Sequence, residues 1–485
     1  MTIVRSLVLL AILGAPVALA GDCAGLAKLS LPYTSITRAE AVDADGFTLP
    51  DTGQPQPAVY KGLPAFCRVA ATLKPTSDSE IKIEVWMPLD GWNGKFMGVG
   101  NGGWSGAISY SALAMAVGRG YAAASTNTGH DGGDASFAPG HPEKLVDFGY
   151  RAVHEMTIKA KAVSEAFYGK APARSYWVGC SSGGKQGLKE AQRYPRDYDG
   201  IVAGAPANYW THLMAGDLWP AVVTNTNPSA ALGPPQLQIL HKAALQACDT
   251  LDGVEDGLIE NPVQCRFDPS AVQCKEGAAE GCLTALQVGA ARKIYAGAKN
   301  PRTGKPVFPG MMPGSELVWN ALAGPKPFGI PLSHFRHVVF NNPNWDYLKL
   351  DFDKDVARAD KLDKGLLNAT DPNLKEFFAR GGKLLMYHGW NDQLIAPLNS
   401  VNYYESVRRR MGGGSKIDGS FRLFMAPGMN HCVGGDGPSR ADWITHLEQW
   451  VEQGKAPERI VAEHTVKNKV DRTRPLCPYP QVARY

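Results

Sequence analysis

One segment narrows the folds open to this chain more than any other. Residues 175–194, SYWVGCSSGGKQGLKEAQRY, read as a short strand, a tight turn of small residues and a helix. At the turn, Gly179-Cys180-Ser181-Ser182-Gly183 matches G-x-S-x-G. A turn this sharp strains the serine backbone and pushes its hydroxyl out above the sheet. The flanking glycines are needed because side chains there would collide with neighbouring elements. The pattern selects Ser181, since Ser182 has no glycine two positions before it.

The surroundings repeat the same alternation. "IKIEVWMPL" and "KFMGVG" read as two strands around the turn "DGWNG", and residues 121–126 read as a short buried strand. Apolar spacing predicts a helix over 147–168, and "YDGIVAGAP" predicts a further strand. The pattern weakens from 208 to 370, where prolines, glycines, four cysteines and many aromatic residues collect. It returns after 371 with the helix "LKEFFARGG", the strand "KLLMYHG", the helix "VNYYESVRRRMGGG", the strand "FRLFMAPG" and a last helix near "ADWITHLEQWVEQG". Strands alternating with helices predict an α/β fold with a mostly parallel sheet. At 485 residues, the economical division is one core in two pieces, 21–207 and 371–485, interrupted by an insertion at 208–370.

Two other motifs overlap these loops and fail on context. Gly179 to Gln186 approaches a phosphate loop, but Gln186 stands where a Ser or Thr would hold magnesium. Gly98-Val99-Gly100-Asn101-Gly102-Gly103 satisfies G-x-G-x-x-G, yet no clean helix opens after it and 121–126 carries no acid. Side-chain-free backbone has another use beside a nucleophile. The amide of Gly102 or Gly103, with that of Ser182, would form an oxyanion hole.

An α/β-hydrolase supplies its acid and base later in the chain, from loops after strands. Asp392 follows "KLLMYHGWN" and His431 follows "FRLFMAPGMN", in the required order. In such a triad Ser181 attacks an ester carbonyl, His431 moves the proton, and Asp392 holds the imidazole. His388 stands too close to Asp392 to reach it from a separate loop, and reads as a packed or hydrogen-bonded histidine. Cys180 precedes Ser181 and Cys432 follows His431. A bridge between them would bring their Cα atoms to roughly 5.5 Å and pin the two loops together.

That bridge needs an oxidising compartment, and the N-terminus predicts one. Arg5, the apolar run Leu7–Leu13 and Ala18-Leu19-Ala20 form a secretory signal cleaved after Ala20, giving a secreted or periplasmic protein. No later apolar stretch is long enough to span a membrane. The formal charge is +4, from 50 Lys and Arg against 46 Asp and Glu, so nothing argues for a nucleic-acid or acidic-membrane partner. The partner implied is a small-molecule ester.

The arrangement Cys180-Ser181, Asp392, His431-Cys432 resembles the tannase/feruloyl esterase family, which includes the mono(2-hydroxyethyl) terephthalate hydrolases. The resemblance covers nearly the whole mature chain. It implies an α/β-hydrolase core, a large lid domain at 208–370, and hydrolysis of aromatic carboxylic esters through an acyl-enzyme. It also implies calcium in the lid loop 249–258, held by Asp249, Asp252 and Asp256 and the carbonyls of Val254 and Leu258. Hard oxygen donors in a glycine-containing loop suit that ion. Cys248 and Cys265 bracket the loop and are expected to bond. Cys274–Cys282 and Cys23–Cys67 complete the pairing that the resemblance implies. Cys477 is left without a partner. Among the lid residues, His334, Phe335 and Arg336 are candidates for contacting substrate.

Three functions follow from this reading. The first is a feruloyl esterase-like serine esterase. The second is a tannase or a terephthalate monoester hydrolase. The third is an inactive calcium-dependent binding protein, against which the intact Ser181, Asp392 and His431 argue.

Overall fold

The computed structural model describes residues 21–50, 57–277 and 280–484, so the expected leader at 1–20 lies outside the described residues. Nine strands form one sheet: β1 (Thr34–Val42), β2 (Phe66–Leu73), β3 (Ile81–Pro88), β4 (Lys95–Val99), β5 (Ala122–Thr126), β6 (Arg174–Cys180), β7 (Gly200–Gly204), β8 (Lys383–Gly389) and β9 (Phe421–Ala426). Their order across the sheet is β1-β2-β3-β5-β4-β6-β7-β8-β9. The first three and the β3–β5 pair run antiparallel, and from β5 onward every pair is parallel. Helices Ala152–Tyr168 and Trp443–Gln453 pack on opposite faces, as their residues enter the two separate apolar clusters that sandwich the sheet. This is the α/β-hydrolase arrangement.

Strand β3 alternates as its sequence predicts, yet nearly all of it is buried. Ile81, Ile83, Val85 and Met87 face one cluster, while Trp86 faces the other. Both faces of the sheet are covered, so the outward residues are buried as well. Glu84 survives there because Arg68 grips both its oxygens, at 2.6 and 2.9 Å, and Trp86 and Tyr110 donate to it. The helix expected over 147–168 begins with a wider turn at Asp147–Arg151 and runs on as Ala152–Tyr168. Strands β1 and β2, and the hairpin β10 (Ile460–Val466) with β11 (Lys469–Leu476), are not announced by the patterns above.

Strands β7 and β8 are neighbours, paired from Gly200 with Lys383 to Gly204 with Tyr387. The chain leaves the sheet after Gly204 and returns at Lys383, and the described residues between are helices, turns and loops. Their apolar side chains build three further clusters. One of these also takes in Trp104 and Phe148, so the inserted segment is welded to the loops above the sheet. The four disulfides are Cys23–Cys67, Cys180–Cys432, Cys248–Cys265 and Cys274–Cys282. Cys477 is a free thiol.

Candidate active site

Ser181 is the hinge between β6 and the helix Ser182–Arg193, with φ 62° and ψ −123°. A positive φ on a residue with a Cβ is strained backbone. The strain is imposed by close crossing of main chains. A Cβ on Gly179 would lie 2.5 Å from the Gly183 carbonyl, and one on Gly100 would lie 2.5 Å from Gly183 Cα. The glycines of the motif are therefore steric requirements. The turn is fixed from both sides, since Ser181 N–H donates to Gly204 O at 3.0 Å and Ala207 N–H donates to Ser181 O at 3.1 Å.

The glycine-rich loop 98–103 is held against the same helix. Gln186 and Asn101 exchange hydrogen bonds: Asn101 N–H donates to Gln186 Oε1 at 3.1 Å, and Gln186 Nε2 donates to Asn101 Oδ1 at 3.2 Å. Gln186, which excludes a phosphate loop, thus anchors the loop that faces the serine. Ser182 Oγ donates to Gly103 O at 2.9 Å. Gly103 lines the cavity beside Ser181, whereas a Cβ on Gly102 would meet nothing. Lys185, the lysine of the would-be phosphate loop, is fully buried over the rings of Phe148 and Trp210, at 4.5 and 4.1 Å. Burial, aided by Lys189, pushes its ammonium down to about 7.

Asp392 and His431 meet across the ends of β8 and β9. His431 Nδ1 lies 2.8 Å from Asp392 Oδ2. The other oxygen, Oδ1, accepts the backbone N–H groups of Leu394 and Ile395 at 2.8 and 2.9 Å. Burial works to raise the Asp392 carboxyl, but the charge of His431 and hydrogen bonds from His388 and His431 hold it well below the usual carboxylate range. Burial works to lower the His431 imidazole, and the Asp392 carboxylate outweighs it and raises it above its ordinary value.

His388 completes this end of the site. Its Nε2 lies 3.0 Å from Asp392 Oδ2 and 2.9 Å from Ile395 O, both acceptors, so Nε2 carries the proton. Its Nδ1 then accepts from Ser400 Oγ at 2.7 Å. His388 is thus the hydrogen-bonded histidine the sequence predicts, and its partners show that it props the acid. The serine and histidine loops are joined by Cys180–Cys432, whose Cα atoms are 5.9 Å apart. Among the described residues no hydrogen bond links the Ser181 hydroxyl to His431, and in unliganded sites such bonds commonly tighten only with substrate.

A small cavity of about 30 Å³ opens beside Ser181, walled by Trp210, Leu213 and Phe328 among others. His334, Phe335 and Arg336 are not among its lining residues. Phe335 is wholly buried in the inserted segment's core, and Arg336 Nε donates to Trp345 O at 3.1 Å. His334 is buried with neither ring nitrogen hydrogen-bonded, and burial together with Lys185 pushes its imidazole down to about 3. Spacing alone could not separate such core positions from cavity positions. Asp217 lines the cavity and was not singled out by the sequence.

The loop 249–258 follows the helix Pro234–Cys248. Asp249 accepts the N–H groups of Asp256 and Gly257, and Asp252 accepts that of Val254. From β11, buried Arg474 pairs with Asp252 at 2.9 Å, Asp256 at 3.4 Å and Glu260 at 3.2 Å. Arg474 meets three of the five carboxylates in 249–260, Arg472 lies 4.0 Å from Asp256, and Asp256 Oδ1 is buried without a hydrogen-bond partner. A hard cation suits that leftover charge and that oxygen.

Known proteins share this architecture. A family model described as tannase and feruloyl esterase matches residues 67–485. An uncharacterized esterase of Xanthomonas campestris pv. campestris is 39% identical, over 95% of this chain and 88% of that protein. A probable feruloyl esterase B-2 of Aspergillus fumigatus is 35% identical, over 94% of this chain and 90% of that protein. The crystal structure of feruloyl esterase B from Aspergillus oryzae superposes with a TM-score of 0.90 at 32% identity, covering 96% of each chain.

Proposed function

Because the chain belongs to the tannase and feruloyl esterase family and is a carboxylic ester hydrolase, we propose that it is a secreted serine esterase for phenolic acid esters of the feruloyl type. The observation that carries the serine mechanism is the Asp392–His431 bond, tied to the strained Ser181 turn by Cys180–Cys432. Ser181 Oγ attacks the ester carbonyl while His431 Nε2 takes its proton. The amides of Ser182 and Gly103 receive the developing oxyanion. His431 then returns the proton to the leaving alcohol, and water releases the acid from the acyl-enzyme by the same route. Asp392, braced by His388, fixes the imidazole tautomer and balances its positive charge. Segment 208–370 is the lid over this chemistry.

The test is direct: the purified protein should hydrolyse methyl ferulate and pass through a trappable acyl-Ser181. A protein that binds the ester without releasing acid would support the inactive-binder reading instead.

The pH profile follows from His431. It must be neutral to accept the serine proton, and Asp392 raises its pKa above the ordinary 6.5. The kcat/KM for methyl ferulate should therefore fall as pH drops through a midpoint above 6.5, measured by initial rates between pH 5 and 9. A midpoint well below 6.5 would contradict the pairing.

Calcium in the loop 249–258 is part of the proposal. Asp249, Asp252 and Asp256 with the carbonyls of Val254 and Leu258 would hold it, and its contribution there is charge neutralisation. Chelation should lower the melting temperature by roughly 2–5 °C, read by scanning calorimetry, with readdition of calcium restoring it. Identical melting curves with and without chelator would remove the ion. Secretion is supported by four disulfides.

A further inference from the structure

One wall of the cavity beside Ser181 carries chemistry that the hydrolytic steps leave unused. Trp210, Leu213, Met214 and Asp217 all line it. They stand at i, i+3, i+4 and i+7 of the helix Trp210–Asn225, so they form one stripe along it. The stripe starts beside the serine, where Ala207 N–H donates to Ser181 O. It ends at Asp217, about 10 Å further along the axis at 1.5 Å per residue. The facing walls are apolar, from Phe328, Ile330, Leu394 and Ile395. The result is a small, mostly apolar cavity with Asp217 as the acid in its lining.

That acid has no structural occupation. Asp217 is 4% exposed. Among the described residues, none hydrogen-bonds to its carboxyl and no cationic side chain pairs with it. Burial, aided by the negative charge of Asp392, pushes it well above the usual carboxylate range, which favours its protonated form. A neutral carboxyl both donates and accepts a hydrogen bond. Leaving it unpaired against an apolar ligand costs free energy, whereas a hydroxyl at the same point satisfies it.

We infer that Asp217 is a specificity-determining residue that hydrogen-bonds a ring hydroxyl of the acyl group, so that the preferred substrates are esters of hydroxylated aromatic acids. Asp217 has this role only if the esterase reading above holds. A ring bearing no polar group leaves the carboxyl unpaired. A ring bearing a second carboxylate, as in a terephthalate monoester, brings negative charge toward the Asp392 carboxylate, whose field already reaches Asp217. The cavity therefore favours the phenolic members of the substrate range over the terephthalate ones.

The experiment compares methyl p-coumarate with methyl cinnamate, which lacks only the hydroxyl, in the wild type, Asp217→Leu and Asp217→Asn. The wild type should favour the coumarate by about tenfold or more in kcat/KM, and Asp217→Leu should lower that ratio by about tenfold or more. Asp217→Asn keeps a donor and an acceptor and should hold the ratio within about threefold. A purely structural role would lower both esters together and leave the ratio in place, and that result overturns the inference. Should Asp217→Leu fail to fold, binding of free p-coumarate and cinnamate to the wild type decides: equal affinities overturn it and tighter p-coumarate supports it. If the wild type hydrolyses neither ester, the esterase reading itself fails and the role of Asp217 falls with it.

Discussion

Replacing Ser181 with alanine should lower kcat for methyl ferulate by about 10⁴-fold or more and leave the melting curve nearly unchanged. The two halves of this expectation have separate causes. The hydroxyl is the proposed nucleophile, and without it Asp392, His431 and the oxyanion amides have nothing to activate. The hydroxyl also makes no hydrogen bond with a described residue, so its loss leaves no buried group unpaired. The strained backbone at φ 62° stays, because alanine keeps the Cβ and the surrounding glycines still force the crossing. Residual hydrolysis of the order that an oxyanion hole and binding supply is compatible with the role. Undiminished turnover would remove Ser181 as nucleophile and with it the reading of the G-x-S-x-G turn.

The second large effect concerns Cys180 and Cys432. A Cys180→Ala, Cys432→Ala double variant should lose roughly 2–5 kcal/mol of stability and about 100-fold or more in kcat/KM. The stability loss arises because the bridge closes a sequence separation of 252, which restricts the unfolded chain severely. The activity loss arises because the bridge alone links the residue before Ser181 to the residue after His431, with no hydrogen bond yet joining the two side chains. Misplacement on the scale of 1 Å is costly for a proton transfer over hydrogen-bond distance. The Cys274→Ala, Cys282→Ala pair is the control. It opens a separation of only 8 and lies in the inserted segment, so stability should fall less and kcat/KM should hold. The Cys180–Cys432 pair is excluded as a positioning device if the first double variant keeps wild-type kcat/KM.

The legible parts of this protein are those written in short stretches of chain. Strand β6, the turn at Ser181 and the helix after it follow from periodicity and from glycine spacing, because the sterics that demand Gly179 and Gly183 act over a few residues. The order of Ser181, Asp392 and His431, and the cysteines beside two of them, are also local signals, each readable against the strand it follows. Strands β1 and β2 were not legible, since an edge position and an antiparallel partner are decided by pairing rather than by pattern. The uniform burial of β3 depended on what covers its second face.

The sites divide along the same line. His388 reads from the sequence as a hydrogen-bonded histidine, but only the fold shows that its partner is Asp392, four residues on. His334 and Phe335 share the composition of a binding slot but fold into the core of the inserted segment. Asp217 lies on an ordinary helical stripe, and only the packing of that helix beside Ser181 turns it toward the cavity. Arg474 reaches Asp252, Asp256 and Glu260 from a strand more than two hundred residues away. The sequence by itself determined the fold class, the order of Ser181, Asp392 and His431 and the cysteines beside two of them, because backbone sterics and side-chain period operate within a few residues. The tertiary structure alone decided which buried polar groups face a ligand and which face the core, because that depends on the contacts of segments far apart in the chain.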